Sequence, residues 1–81
     1  MTQLYVVEIK KTVSGEYEHN VFWLYDEFPD KARLKGESKY HEVLAAAALS
    51  NMEEHAAILF ESNGTPIMHQ CYRHEPPVDD E

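Results

Sequence analysis

The sequence predicts an α+β fold of order β-β-α-β-β, a four-stranded antiparallel sheet with one main helix packed on one face. Three observations carry this. Segments rich in Val, Ile, Tyr and Phe flank Ser14-Gly15, two more flank Asn63-Gly64, and an alanine-rich stretch with helical periodicity stands between the pairs. With 81 residues, the chain hides only about 60–65% of the surface it exposes when unfolded, which suits one sheet and one helix around a single core.

Residues 4–13 combine β-branched and aromatic side chains and predict the first strand. Ser14-Gly15 supplies the turn, because glycine accepts a positive φ, and residues 16–26 predict the second strand. A two-residue turn sets Val13 opposite Glu16, Lys11 opposite Glu18, Val7 opposite Phe22 and Tyr5 opposite Leu24. The opposite charges of Lys11 and Glu18 favour that register. Residues 27–37 break the pattern, with Pro29-Asp30 opening a short helical turn that Gly36 closes. Ser38 is a good N-cap for a long helix running to about Ala56, in which Ala45 to Ala48 carry the strongest propensity. At about 100° per residue, His41, Leu44, Ala45, Ala48, Leu49, Met52, His55 and Ala56 share one arc. Glu42, Ala46, Ser50, Glu53 and Glu54 lie on the other side. Residues 57–62 predict a third strand and 65–73 a fourth, joined by Asn63-Gly64. That turn sets Phe60 opposite Ile67 and Ile58 opposite His69, and Pro66, lacking an N–H, belongs at an edge or a strand start. Residues 1–74 are expected to form one domain, and 75–81, without periodicity, a disordered acidic tail.

Alternation along the strands yields the most informative expectation. In that register Tyr5, Val7, Ile9, Phe22 and Leu24 share one face of the first hairpin, and Leu4, Val6, Val21, Trp23 and Tyr25 the other. In the second hairpin Ile58, Phe60, Ile67, His69 and Cys71 lie opposite Leu59, Met68 and Tyr72. A half-exposed antiparallel sheet alternates apolar and polar residues cleanly, and this one does not. One helix covers one face, which leaves the other with Trp23, Tyr25, Val6 and Val21, together with Leu59, Met68 and Tyr72. Three things can cover it: segment 27–39 with Phe28 and Leu34 as plugs, a second copy or partner protein, or a small ligand. Trp and Tyr dominate interface hot spots, which favours a protein partner on an open face.

Fifteen Asp and Glu against seven Lys and Arg make a formal net charge of −8, a field that repels phosphate backbones and argues against direct nucleic-acid binding. Residues 75–81 hold four of the fifteen acids and no base, whereas residues 1–39 are nearly neutral. Lys31, Arg33, Lys35 and Lys39 form the one basic cluster, expected as a solvated loop that attracts the acidic tail. The single cysteine, Cys71, excludes an intramolecular disulfide and fits a reducing compartment. The first residues carry no basic-plus-apolar leader, and the longest apolar run, Val43 to Leu49, falls short of the ~20 residues of a membrane helix. A soluble, cytoplasmic chain without membrane association is expected.

Motifs for chemistry are weak. His69-x-Cys71, with His74 three residues on, is one cluster without a matching pair elsewhere, whereas zinc takes three or four ligands from two elements. His41 and His55, fourteen residues apart on the expected helix, stand about 21 Å from one another. Cys71, among apolar strand neighbours, lacks the cationic surroundings that activate a thiolate. Glu53-Glu54 and Asp26-Glu27 are adjacent pairs that do not face one another. The sequence holds no phosphate loop, no Gly-rich fingerprint and no G-x-S-x-G elbow. No catalytic residue, metal or cofactor is expected, and the chain reads as non-enzymatic.

In size, acidity, soluble single-domain build and lack of catalytic motifs, the chain resembles small phage-encoded inhibitors of host defence of the anti-CRISPR type. It is similar in the same respects to immunity proteins that neutralise basic nuclease toxins. The resemblance implies a non-enzymatic acidic inhibitor that blocks a basic nucleic-acid-handling protein, with carboxylates standing where phosphates would sit. The contact residues are then Glu42, Glu53 and Glu54 on the helix, with Trp23 and Tyr25 on the sheet. The alternative is a small homodimeric structural or regulatory module that associates through the aromatic sheet face or a strand edge, its acidity serving solubility. Salt separates the two, since charge-steered association slows as ionic strength rises and an apolar homodimer hardly responds.

Overall fold

A computed structural model describes residues 2–74. Strands β1 (Thr2–Lys11) and β2 (Tyr17–Asp26) precede helix α1 (Pro29–Ala48), and strands β3 (Glu54–Glu61) and β4 (Pro66–Arg73) follow it. The strands form one antiparallel sheet in the order β2-β1-β3-β4, so β1 and β3 are central and β2 and β4 are edges. The helix packs on one sheet face, which is the β-β-α-β-β architecture that the sequence predicts. The expected acidic tail, 75–81, lies outside the described residues.

The helix departs from expectation at both ends. Segment 27–39 does not cross the second sheet face, because from Pro29 onward it is the first half of α1. Proline suits the first helical position, where no amide partner is needed. Asp26 Oδ1 accepts the Phe28 amide at 3.0 Å, and its Oδ2 pairs with Lys35 Nζ at 3.0 Å. The Phe28 amide first, and then Lys35, hold the Asp26 carboxyl below its ordinary range. Arg33 pairs with Glu37 at 2.8 Å and Lys39 with Glu42 at 3.1 Å. The basic cluster is therefore a helix face with carboxylate partners of its own, not a loop.

Gly36, expected as a stop, lies inside α1 at its closest approach to the sheet. A Cβ there would stand 2.9 Å from Leu59 Cδ1 and 3.5 Å from Leu4 Cδ1. The buried stripe is Ala32, Gly36, Tyr40, Val43, Leu44 and Ala47. Of the expected arc only Leu44 belongs to it, while His41, Ala45 and Ala48 face solvent and Leu49 is 91% exposed.

At the other end, the amides of Leu49 and Ser50 donate to the carbonyls of Ala46 and Ala47 at 3.3 Å each. The Glu53 amide then donates to the Lys11 carbonyl at 2.8 Å, and the chain enters the sheet. Helix α1 thus stops at Ala48, and His55 and Ala56, expected on the helix, are strand residues. Backbone pairing with β1 and β4 on both sides overrides the helix propensity of Ala56 and Ala57.

The first turn corrects the register. Its loop is three residues, Val13-Ser14-Gly15, closed by Thr12 N–H to Glu16 O at 2.8 Å and Gly15 N–H to Thr12 O at 2.9 Å. Gly15 takes φ 94°, the left-handed position that ends this loop type. Lys10, not Lys11, faces Glu18; Val7 faces Val21, Tyr5 faces Trp23 and Leu4 faces Leu24. A slip of one residue exchanges the two faces. Replacing Gly15 by alanine is expected to cost about 1–2 kcal/mol, read from the urea midpoint, because a Cβ disfavours that φ.

Asn63-Gly64 belongs to a loop of the same kind, with Glu61 N–H donating to Thr65 O at 2.9 Å. Phe60 therefore faces Pro66 rather than Ile67. An irregularity beside Leu59 and Phe60 leaves Ile67 as an extra residue on β4 and restores Leu59 opposite Met68 and Ile58 opposite His69, the latter as expected.

The core under α1 holds Leu4, Val6, Ala57 and Leu59 from the sheet and Ala32, Tyr40, Val43, Leu44 and Ala47 from the helix. Phe22, Leu24, Met68 and Tyr72 pack around it. Val6, Leu59, Met68 and Tyr72, expected on the open face, are on the covered one. Val6 and Leu59 are its most deeply buried large side chains. Burial, followed by the neighbouring Tyr72, pushes the Tyr40 hydroxyl up.

Candidate functional site

The sheet face away from α1 carries a row of aromatic rings across three strands. Tyr5 lies at its centre, with its ring centroid 4.6 Å from that of Trp23 on β2 and 4.8 Å from that of Phe60 on β3. The one-residue register shift brings Tyr5 to Trp23, and antiparallel pairing of β1 with β3 brings it to Phe60. Val7, Ile9, Val21, Tyr25 and Ile58 extend the surface by alternation. Val21, Trp23 and Tyr25 remain 52%, 45% and 48% exposed. Phe28 and Leu34, the expected plugs, are themselves exposed, so among the described residues nothing covers this face.

Charge is confined to the ends of the face. At one end Lys11 lies opposite Glu54, and Glu54 opposite Arg73. At the other, Glu27 follows β2 and is exposed, whereas Glu61, opposite Leu4, belongs to the covered face. Between the ends, among the described residues, there are only apolar and aromatic side chains with Gln3, His19, His69 and Cys71.

The five expected contact residues do not form one surface. Trp23 and Tyr25 are on the open face, as expected. Glu42 is on the outer side of α1, across the molecule from them, and is paired with Lys39. Glu53 and Glu54 are not on the helix. Glu53 lies in the connection to β3 and binds Lys11 Nζ at 2.9 Å, an ion pair that pushes the lysine's pKa up. Glu54 opens β3, opposite a residue six positions along β1 from Tyr5, about 20 Å away at the usual strand rise. Tyr5, Phe60 and Glu27 join the candidate surface instead. The three-residue loop between Thr12 and Glu16 was the signal for Tyr5, since a terminal glycine marks that loop type as readily as the two-residue one.

A second constellation lies inside the molecule. The Glu8 carboxylate, on the covered face of β1, meets His55 Nε2 at 2.6 Å and accepts from Asn20 Nδ2 at 3.0 Å. His55 Nδ1 lies 2.9 Å from Ser50 Oγ. A carboxylate only accepts, so His55 Nε2 carries a proton. Serine, histidine and glutamate thus stand in the order of a nucleophile, a base and its orienting group. Their setting opposes that use. His55 is 3% exposed. Ser50 follows the C-terminus of α1, where the helix dipole is negative and disfavours an oxyanion. The arrangement ties the end of α1 to β1, β2 and β3. Its sequence signal was a glutamate between Val6 and Ile9 in line with core positions Leu4 and Val6.

His69 and Cys71 share one face of β4, as expected, but it is the open face and not the one under the helix. His74 is elsewhere engaged, with Nδ1 2.8 Å from the Met52 carbonyl and Nε2 3.2 Å from the Ala48 carbonyl. Among the described residues no three His, Cys, Asp or Glu are grouped to hold a metal ion, and no helix is long and apolar enough to cross a membrane. No family model, curated protein or solved structure matches the chain. Its surface is therefore read from its own chemistry.

Proposed function

We propose that this protein is a non-enzymatic binding protein that takes a basic, nucleic-acid-handling protein on its open aromatic face and blocks it, in the manner of the defence inhibitors it resembles. One observation carries the reading. Trp23 is 45% exposed with its ring 4.6 Å from that of Tyr5, in an apolar face that the described chain leaves uncovered, at the end of which stands the exposed Glu27, two residues beyond Tyr25. An arginine fits such a place, since its guanidinium stacks on Trp or Tyr and pairs with a carboxylate through its N–H fork. The net charge of −8 speeds encounter with a basic surface. Glu42 and Glu53, committed to their own lysines, contribute to that field rather than to docking.

The test is affinity capture with wild type, Trp23→Ala and Glu27→Lys. Wild type is expected to retain basic nucleic-acid-handling proteins, and Trp23→Ala to weaken the captured complex by about 30-fold, the hot-spot range of 2 kcal/mol or more. The charge reversal is expected to slow association and flatten its dependence on salt. Capture of no such protein by wild type, or equal affinity for Trp23→Ala, overturns the reading.

A further inference from the structure

The two edges of the sheet are unlike. On β4, Pro66 removes a donor, the irregularity at Ile67 breaks the ladder, and Arg73 places a charge near the end. These are the devices by which proteins protect an edge from further pairing. On β2, Tyr17–Asp26, there is no proline, lysine, arginine or irregularity over ten paired residues. Residues 17–21 are all exposed.

The backbone of β2 has a determinate outward row. The Glu16 carbonyl points to β1, where it accepts from Thr12. By antiparallel alternation, the even residues of β2 exchange hydrogen bonds with β1. The odd residues Tyr17, His19, Val21, Trp23 and Tyr25 turn their N–H and C=O groups away from the sheet, where no described strand meets them; of these groups the Tyr25 carbonyl accepts from Lys35 Nζ at 3.0 Å.

We propose that β2 pairs antiparallel with β2 of a second copy of this chain, with Val21 opposite Val21 at a two-fold axis. This pairing sets His19 opposite Trp23, Tyr17 opposite Tyr25 and Glu18 opposite Leu24, while Asp26, held by Lys35, faces Glu16 just outside the strand. Moving the axis midway between Val21 and Trp23 brings Glu18 opposite Asp26 twice within the strand itself, which is destabilising, and leaves Tyr17 beyond the paired segment. Moving it to Asn20 leaves Tyr25 beyond the paired segment. Cross-strand aromatic and apolar pairs reinforce the chosen register. The product is one eight-stranded sheet with both helices on one side and both aromatic faces on the other, an isologous contact that closes on itself. It stands apart from the partner proposed above, which needs the face of Trp23 and not its edge backbone.

The test is the mass in solution of the full chain over a concentration series, with amide hydrogen exchange measured in parallel. Wild type is expected to dimerise, and the amides of residues 19, 21, 23 and 25 to gain protection with concentration, whereas those of 18, 20, 22 and 24 are protected throughout. Val21→Pro removes one outward donor that β1 does not use and is expected to weaken the dimer about tenfold or more while the monomer stays folded. Should that variant fail to fold, cross-linking decides. In a Cys71→Ser background, Val21→Cys is expected to oxidise to a disulfide-linked dimer and Tyr25→Cys is not. A wild type that remains monomeric at its solubility limit, odd-numbered amides that exchange freely at every concentration, a Val21→Pro dimer of unchanged affinity, or equal cross-linking at both positions overturns the proposal.

Discussion

Replacing His55 by alanine is expected to cost about 3–5 kcal/mol at pH 7, because it leaves the Glu8 carboxylate buried without its main partner. A chain of this length holds on the order of 4–12 kcal/mol in all, so the loss brings the variant close to its unfolding threshold. In the wild type, burial pushes the Glu8 carboxyl up, but the hydrogen bonds from His55 and Asn20 and the charge of Lys10 outweigh it and hold the group below its ordinary value of 4.5.

The sign of the pH dependence follows. A carboxyl whose folded pKa is depressed adds stability above its unfolded value and loses it as pH falls through the folded one. The wild-type contribution of Glu8 is therefore complete at neutral pH and disappears below pH 4.5. Asp26, also depressed, acts in the same direction from its ordinary 3.8 downward. In His55→Ala the burial remains and most of the compensation is gone, which raises the carboxyl above its unfolded value. That variant gains stability as pH falls from 7 toward 5, where the wild-type Glu8 contribution is flat. Urea midpoints at pH 7, 5.5 and 4 check this, and parallel profiles for the two proteins would refute the buried pair. Replacing both residues, Glu8→Leu with His55→Phe, is expected to cost far less than the single change, since an apolar pair of similar volume leaves no charge to desolvate.

The second large effect lies where α1 touches the sheet. Leu59 is fully buried against Gly36, so Leu59→Ala is expected to cost about 2–5 kcal/mol from lost transfer energy and the cavity left behind. Gly36→Ala sets two terms against each other. Helix propensity gains about 1 kcal/mol, but the new methyl lies 2.9 Å from Leu59 Cδ1, a side chain with no solvent to move into. Overpacking of this kind costs about 1–3 kcal/mol, so the net change is destabilising. Gly36→Val, which gains less from propensity and adds more volume, is expected to be worse. In Gly36→Ala/Leu59→Val the shortened side chain makes room for the methyl, and the double variant is expected to be more stable than the sum of its parts by about 0.5–3 kcal/mol. Additive denaturation energies would show that the two residues do not share a tight contact.

The element order was legible because each hairpin carries its own signal, a glycine-bearing turn between β-branched and aromatic runs. The second hairpin was read in register from Ile58 and His69 inward. The first was read one residue out, because Ser14-Gly15 serves a two-residue and a three-residue loop equally well. The choice between them lies in the hydrogen bonds from Thr12 to Glu16 and from Gly15 to Thr12. That single step decided whether Tyr5 lay in the core or beside Trp23. Of the candidate surface, Trp23 and Tyr25 were legible because alternation sets them on one side of β2 whatever β2 pairs with. Glu53 and Glu54 were misplaced on the helix because alanine propensity runs past Ala48, and the competing backbone partners on β1 and β4 are remote in sequence.

Local chemistry thus determined what each segment is: strand, turn or helix, in the order β-β-α-β-β, with one apolar face more than a single helix can cover. Long-range contacts decided where each segment ends and which side chains meet. Gly36 stays helical because Leu59 and Leu4 close over it, and His55 leaves the helix path because the Lys11 carbonyl receives the Glu53 amide and the Glu8 carboxylate receives the His55 ring in the sheet. Propensity and period are properties of neighbours along the chain. A helix end or a sheet register is a competition among partners that only folding brings together.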